Sequence, residues 1–285
     1  MTVATQINAH APNDFHVRPL EPTIGAEISG VDLRRPFSDE VRDGIKASLL
    51  QYKVIFFRDQ DLTGDQHSHF AARFGRLYTH PTATHDSKVT HIHKIAAEDF
   101  AKYERVQDPT TIAAGYHTDT SWRLVPTWGA VLRAVHLPPV GGDTIWVDAG
   151  AAYEGLPEGI KTRLEGLFVT HDFRAELKRL GHDYPIVAHP IVRTHRETGK
   201  KILWVNFTQR PHIIGLDVAD GRELLTIIRD QYSKPEYQVR FSWRPHSIAF
   251  WDNRAAVHYA VRNYGDFPRV LDRILIADEP LYADL

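Results

Sequence analysis

The sequence contains no cysteine. That absence excludes disulfides, thiolate metal ligands and a cysteine nucleophile, so any metal held here must rest on imidazole and carboxylate groups. No apolar run reaches the roughly 18 residues that a bilayer-spanning helix needs. The opening stretch MTVATQINAHAPNDFH lacks the charged-then-apolar layout of a secretory signal, and the expected location is the cytoplasm. Excess charge of either sign is lacking as well. The net charge is −2, which gives no reason to expect nucleic acid or an anionic membrane as a partner. Neither GxGxxG nor GxxxxGK(S/T) occurs, and strands do not alternate regularly with helices, so a nucleotide-binding α/β fold has little to stand on.

The chain has 285 residues, 42% hydrophobic and 25% charged, enough to bury a sizeable core as one domain behind a polar tail over 1–14. Residues 38–53, SDEVRDGIKASLLQYK, predict a helix: Ser38 can cap it, acids fill its first turn, and Val41, Ile45 and Leu49 share one face. Residues 63–75, TGDQHSHFAARFG, carry a capping box in Thr63 and Gln66. Further helices are expected near 157–167 and 220–232. Strands are expected at 53–60, 129–137, 143–148, 188–195, 201–207, 237–243, 247–252 and 269–277. Many short strands with few helices indicate a mainly β chain with helical insertions, either a barrel or a double-sheet jelly roll.

Seventeen histidines direct attention to metal chemistry. In GYHTDTSW, residues 115–122, His117 and Asp119 stand two apart, and in an extended segment such residues point to the same face. Two imidazoles and one carboxylate on one side of an ion leave positions open, as non-haem Fe(II) oxygenases require, but the second histidine must come from elsewhere in the chain. Three other groupings compete less well. His195-Arg196-Glu197 lies in a very polar stretch expected to be an exposed hairpin tip. His91 and His93 have no acid at matching spacing. His67 and His69 fall on a helix, where residues two apart do not face each other. Downstream, His258 follows an apolar strand ending at Trp251, and Arg269 and Arg273 fall on one face of the last strand, where burial would be costly without anions to meet them.

Taken together and in this order, HTD at 117–119, GGDT at 141–144, WDNR at 251–254, His258 and Arg269 resemble the TauD/TfdA family of Fe(II)- and 2-oxoglutarate-dependent dioxygenases. The likeness extends from IGAEISGVDLRRP near the start to the last arginine-bearing strand. It implies a double-stranded β-helix, or jelly-roll, core. It implies that His117, Asp119 and His258 bind Fe(II) as the catalytic centre. Thr144 and Arg269 would then hold the far carboxylate of 2-oxoglutarate, with O2 as the other cosubstrate and succinate and CO2 as products. The presence of Asp119 argues against the related halogenases, whose site lacks the carboxylate.

The resemblance also bears on substrate. In members acting on taurine, an arginine four after the cosubstrate arginine and a histidine in an HP turn meet the sulfonate; Arg273 and His80 match these positions. The tyrosine three after that histidine is replaced by Ala83, and the asparagine four before the first iron ligand by Ala113. An anionic head group with a larger, more apolar tail is therefore expected, an alkyl or aryl sulfonate or sulfate ester. Taurine itself, or a phenoxyalkanoate or other carboxylate, is the alternative. A zinc hydrolase using the same three ligands and a non-enzymatic anion-binding jelly roll are more remote. Residues 96–115 read as a candidate lid in which Phe100 and Tyr103 could touch substrate, and family analogy implies a homo-oligomer, dimer or tetramer.

Overall fold

The computed structural model describes residues 15–83, 91–96 and 115–279. The polar tail, most of the candidate lid and Ala113 fall outside these residues.

Two sheets pack face to face. In the larger, β1 (His16–Pro19), β2 (Ala26–Ser29), β3 (Val54–Phe57), β13 (Ile248–Asp252), β6 (Gly129–His136), β15 (Val270–Ile276) and β4 (Leu77–Tyr78) lie in that order, and β5 (His93–Ala96) also pairs with β15. The smaller sheet has the order β12 (Gln238–Phe241), β7 (Thr144–Asp148), β14 (Ala256–Ala260). β2 and β3 run parallel, and the other described pairs are antiparallel. Two hairpin-like pairs, β8 (Phe168–His171) with β9 (Val187–Pro190) and β10 (Val192–Thr194) with β11 (Lys201–Leu203), complete the strands. The arrangement is the jelly roll expected from the sequence.

The layering follows from residue type. β3 reads VIFF and β13 reads IAFWD, buried throughout, as strands covered on both faces must be. On the inner side, Val54, Phe56, Leu132, Trp251, Leu271 and Leu275 meet Trp146, Val239 and Phe241 of the smaller sheet. On the outer side, α1 (Asp39–Tyr52) and α2 (Gly64–Ala72) lay Val41, Ile45, Leu49 and Phe70 over Ile55, Phe57, Val131, Phe250 and Ile274. Both helices begin as their sequences dictate. The Ser38 hydroxyl accepts from the Val41 N–H, and Thr63 and Gln66 form the reciprocal capping box. The outer face of the smaller sheet is covered by α6 (Val218–Tyr232), whose Leu224, Leu225 and Ile228 cluster with Val147 and Val257. Short helices α3 (Ala149–Glu154), α4 (Glu158–Leu164) and α5 (Arg174–Arg179) fill the connections. Among the described residues no helix is long and apolar enough to cross a membrane.

Several details differ from expectation. α6 starts at Val218 because Asp217 caps it, and the strand expected at 188–195 breaks into two that pair with different partners. His258 does not trail an apolar strand: it lies inside β14, reached from β13 by a tight turn over Asn253 to Ala255. The HRE stretch does lie at the tip of the β10–β11 hairpin, with residues 196–200 exposed, but its histidine is turned inward. His195 is buried, and its Nε2 lies 3.0 Å from the Asp252 carboxylate, while Glu197 pairs with Arg254 at 2.7 Å. These groups are used up in a structural ion-pair network, which removes them as metal ligands.

Candidate active site

The centre is built by backbone pairing between two distant segments. His117 and His258 form an isolated antiparallel bridge: the His117 N–H donates to the His258 carbonyl at 3.0 Å and the His258 N–H returns to the His117 carbonyl at 2.8 Å. The two imidazoles thereby project from the same place, with ring centroids 4.0 Å apart. Asp119, two residues on from His117, brings its carboxylate to the same point. One ligand atom from each of His117, Asp119 and His258 lies within 4.8 Å of the others.

Each side chain is held from behind. The His117 Nδ1 lies 2.9 Å from the Gly115 carbonyl, which takes its proton and leaves Nε2 as the lone-pair nitrogen. Gly115 has φ +66°, and a Cβ there would come within 2.7 Å of the Tyr259 ring, so the close turn needs glycine. The His258 ring is backed by two buried indoles, Trp251 at 5.0 Å and Trp146 at 6.4 Å between centroids. Burial pushes both histidines below their ordinary range, and for His258 the neighbouring His117 and Arg273 act in the same direction. Neutral imidazole is the form that binds a metal.

Asp119 is placed by Asn253, a fully buried residue of the β13–β14 turn. The Asn253 Oδ1 accepts from the Asp119 N–H at 2.8 Å and the Thr118 hydroxyl at 2.9 Å, and its amide nitrogen donates to the carbonyls of Asp119 (2.8 Å) and Thr127 (3.0 Å). From the other side, the Asn206 amide donates to the Thr118 carbonyl and the Ser121 hydroxyl. The sequence placed Asn253 in the WDNR motif without giving it a role and did not point to Asn206, since each has partners far away along the chain.

The residues fit a divalent metal. The donor set is two neutral imidazoles and one carboxylate, which suits iron with open positions. The Asp119 Oδ2 is buried with no hydrogen-bond partner among the described residues. Its other oxygen receives Arg273 Nη1.

The expected cosubstrate pair also comes together. β14 and β7 place Ala260 opposite Thr144 and His258 opposite Trp146, so Thr144 faces inward on the same side as His258. Arg269, at the head of β15, is buried; its Nη2 donates to the Thr144 hydroxyl at 3.3 Å and its Nε to the Gly142 carbonyl at 2.8 Å. Trp243 Nε1 donates to the same hydroxyl at 3.0 Å. Gly142 (φ +73°) lets the chain pass this close: a Cβ there would stand 3.0 Å from Arg269 Cδ. The strand shifts register between Val270 and Leu271, and Arg269 and Arg273 are both buried.

Arg273 and His80 are connected through a residue that the sequence reading set aside. His93 on β5 sits directly opposite Arg273 on β15, and its Nδ1 lies 2.8 Å from Arg273 Nη2. The His80 ring stacks on the His93 ring, 5.0 Å between centroids and 7° from parallel. Only the β5–β15 register reveals this role for His93. Around His80 stands an aromatic wall: Trp122 edge-on at 5.9 Å and Phe173 at 6.1 Å, with Trp122 stacked on Phe173 and meeting Tyr184. Ala83, three residues beyond His80, is buried.

The chain resembles known proteins along nearly its whole length. Residues 16–275 match the profile of the taurine catabolism dioxygenase TauD, TfdA family. The chain is 34% identical to an alkylsulfatase of Acinetobacter baylyi over 93% of its own length and 86% of that protein. It is 32% identical to an alpha-ketoglutarate-dependent sulfate ester dioxygenase of Pseudomonas putida, covering 95% of this chain and 93% of that one. Among solved structures, a taurine dioxygenase from Burkholderia xenovorans superposes with a TM-score of 0.81 at 35% identity, covering 93% and 90% of the two chains. With the His-Asp-His cluster and the paired Thr144 and Arg269 set on a jelly roll, the match places this chain in the TauD/TfdA family of 2-oxoglutarate-dependent dioxygenases.

Proposed function

We propose that this enzyme hydroxylates a C–H bond of an alkyl sulfate ester or a related sulfonate, using Fe(II), 2-oxoglutarate and O2. His117, Asp119 and His258 would hold the iron, and Arg269 with Thr144 the far carboxylate of 2-oxoglutarate. The head group would meet His80 and Arg273, and the tail would pass Ala83 and, beyond the described residues, Ala113. The observation that carries this reading is the joining of Arg273, His93 and His80 beside the triad, under the aromatic wall of Trp122, Phe173 and Tyr184.

Bound iron, with O2 and 2-oxoglutarate, supplies oxidising power that ends as succinate, CO2 and one hydroxyl on the substrate. The protein's own part is placement. The Arg269 guanidinium donates from a fixed planar fork, and a carboxylate arriving there meets the Thr144 hydroxyl as well. The Arg273 and His80 side chains offer N–H groups to an anion of the sulfate class, and the aromatic wall offers apolar contact to a chain. Trp146 and Trp251 keep the floor under His258 dry. Hydroxylation of the carbon bearing the sulfate oxygen gives R–CH(OH)–OSO3−, which breaks its C–O bond to give the aldehyde and hydrogen sulfate. The names of the relatives from Acinetobacter baylyi and Pseudomonas putida support a sulfate ester, and that of the Burkholderia xenovorans structure keeps taurine as the alternative.

Two measurements test the reading. Anaerobic Fe(II) plus 2-oxoglutarate should give a weak visible charge-transfer band that His117→Ala abolishes; without the band in the native chain, the iron assignment is lost. Hexyl sulfate, hexanesulfonate, taurine and phenoxyacetate are then compared by succinate formation and by sulfate or sulfite release. Fastest turnover of hexyl sulfate is expected. Fastest turnover of taurine would overturn the argument from Ala83, and preference for phenoxyacetate would replace the sulfate head group by a carboxylate.

A further inference from the structure

The donor and acceptor groups behind the head-group site can be assigned one by one. A guanidinium only donates, so the His93 Nδ1, 2.8 Å from Arg273 Nη2, must accept. Neutral His93 then carries its proton on Nε2, which lies 3.2 Å from the Thr82 hydroxyl. With that hydroxyl oxygen accepting from His93, its own proton is available to the His80 Nδ1, at 2.6 Å. The Thr82 backbone N–H points at the same nitrogen from 3.2 Å, and a backbone N–H can only donate. Two separate donors thus require the His80 Nδ1 to accept, which leaves the His80 proton on Nε2. Among the described residues Nε2 has no hydrogen-bond partner.

We propose that His93 and Thr82 are positioning residues: a relay Arg273–His93–Thr82–His80 that orients the guanidinium and fixes His80 as the Nε2–H tautomer, a donor for an anionic head group. The proposal rests on the reading of this pocket as a head-group site. It gives the stacked pair of histidines a purpose that a metal or an acid–base role does not. Sulfate oxygens only accept hydrogen bonds, so a His80 turned to the other tautomer would face them with a lone pair, losing one bond and adding repulsion. Burial of both rings next to Arg273 keeps them neutral, with His93 held down to about 3. Tautomer rather than charge then decides what His80 presents. Thr82 is the switch point, because its hydroxyl is hydrogen-bonded to both rings.

The test uses the whole enzyme carrying Zn(II), which is diamagnetic, with 2-oxoglutarate and 15N-labelled histidine. Long-range 15N–1H spectra report which ring nitrogen holds each proton, and His80→Asn and His93→Asn variants assign the signals. Both rings are expected as Nε2–H in the native protein. In Thr82→Val, which keeps the shape and removes the hydroxyl, the His80 signals should shift toward a mixture of tautomers. With Fe(II) in place, the KM for hexyl sulfate should rise about tenfold, as expected for loss of one hydrogen bond to a charged group, with kcat nearly unchanged. Thr82→Ser should restore both signals and KM. Finding His80 as Nδ1–H in the native protein overturns the relay, and so does a Thr82→Val enzyme with native spectra and native KM. The expected tautomers in an enzyme that ignores hexyl sulfate would keep the relay and remove the substrate assignment. Hexyl sulfate turned over with native KM by a Thr82→Val enzyme of native spectra would do the reverse.

Discussion

The side-chain carbonyl of Asn253 accepts the backbone N–H of Asp119 at 2.8 Å, across 134 residues of sequence. Because Asn253 sits in the turn between β13 and β14, this contact ties the Asp119 segment to the strand carrying His258. Asn253→Ala would leave the Asp119 N–H and the carbonyls of Asp119 and Thr127 buried without this partner. The expected cost is about 3 kcal/mol of folding stability, within the range for buried groups left unpaired. Loss of metal affinity should accompany it, since the carboxylate is no longer fixed relative to the histidines. Urea unfolding and calorimetric Mn(II) titration check both effects. A variant as stable as the native chain that binds Mn(II) equally well would show that Asn253 positions nothing.

Arg269 offers a separate test of cosubstrate binding. Lysine at this position keeps the charge but not the fork, and it cannot donate to both Gly142 and Thr144 as Nε and Nη2 do. Arg269→Lys should therefore raise the KM for 2-oxoglutarate by about 10- to 100-fold, the loss of a charge-assisted bidentate contact. Gly142→Ala should act in the same direction, because its Cβ would press on Arg269 at 3.0 Å from a left-handed backbone. Titration of 2-oxoglutarate at saturating hexyl sulfate measures this. A rise confined to the KM for hexyl sulfate would assign Arg269 to the wrong ligand.

Local patterns carried much of this site. The ligand atoms of residues 117 and 119 do meet, Arg269 and Arg273 are both buried, and the caps of α1 and α2 are written in Ser38, Thr63 and Gln66. What could not be read locally depends on register. β14 follows its predecessor after so tight a turn that AVHYA looks like the tail of one strand, although it belongs to the other sheet. Asn253 draws its meaning from Thr118, Asp119 and Thr127, and His93 from lying opposite Arg273. The polarity of RTHRETGKK suggested solvent, but Asp252 and Arg254 arrive from another strand and bury His195. Polar residues at long-range contacts are the ones a linear reading misplaces.

His171 predicts how stability depends on pH. It has no exposed surface and no hydrogen-bond partner on either ring nitrogen among the described residues. Burial, aided by His189 and Arg193, holds its pKa down to about 3 instead of 6.5. The folded protein keeps this ring neutral, while the unfolded chain takes up the proton near the ordinary value. Acid therefore favours unfolding. Above about pH 7 the residue adds no pH dependence, and between about 6.5 and 3 it should cost up to about 1.4 kcal/mol per pH unit. His189, held down to about 4, acts in the same direction over a narrower window. Denaturant unfolding from pH 7 to pH 5 should show the loss, and His171→Phe should reduce the slope by about one proton. Equal slopes for the two proteins would mean that His171 is protonated without penalty.

The proposed path of the tail past Ala83 can be tested with one substitution. Ala83 is buried, its N–H donates to the His80 carbonyl at 2.9 Å, and the family resemblance matches it to a tyrosine of taurine-type members. Ala83→Tyr would place a ring and a hydroxyl beside the head-group histidine and shorten the space left for a chain. Ethyl sulfate should still fit, whereas hexyl sulfate should lose about tenfold or more in kcat/KM relative to it, because a long apolar chain has the most contact to lose. Overpacking also costs folding stability, on the order of 1–3 kcal/mol, so thermal melts must accompany the kinetics. The informative quantity is the ratio of the two kcat/KM values, which a uniform loss of folded enzyme does not alter. A variant that slows both sulfates equally would move the tail away from Ala83 and leave Trp122, Phe173 and Tyr184 as the surfaces to change next.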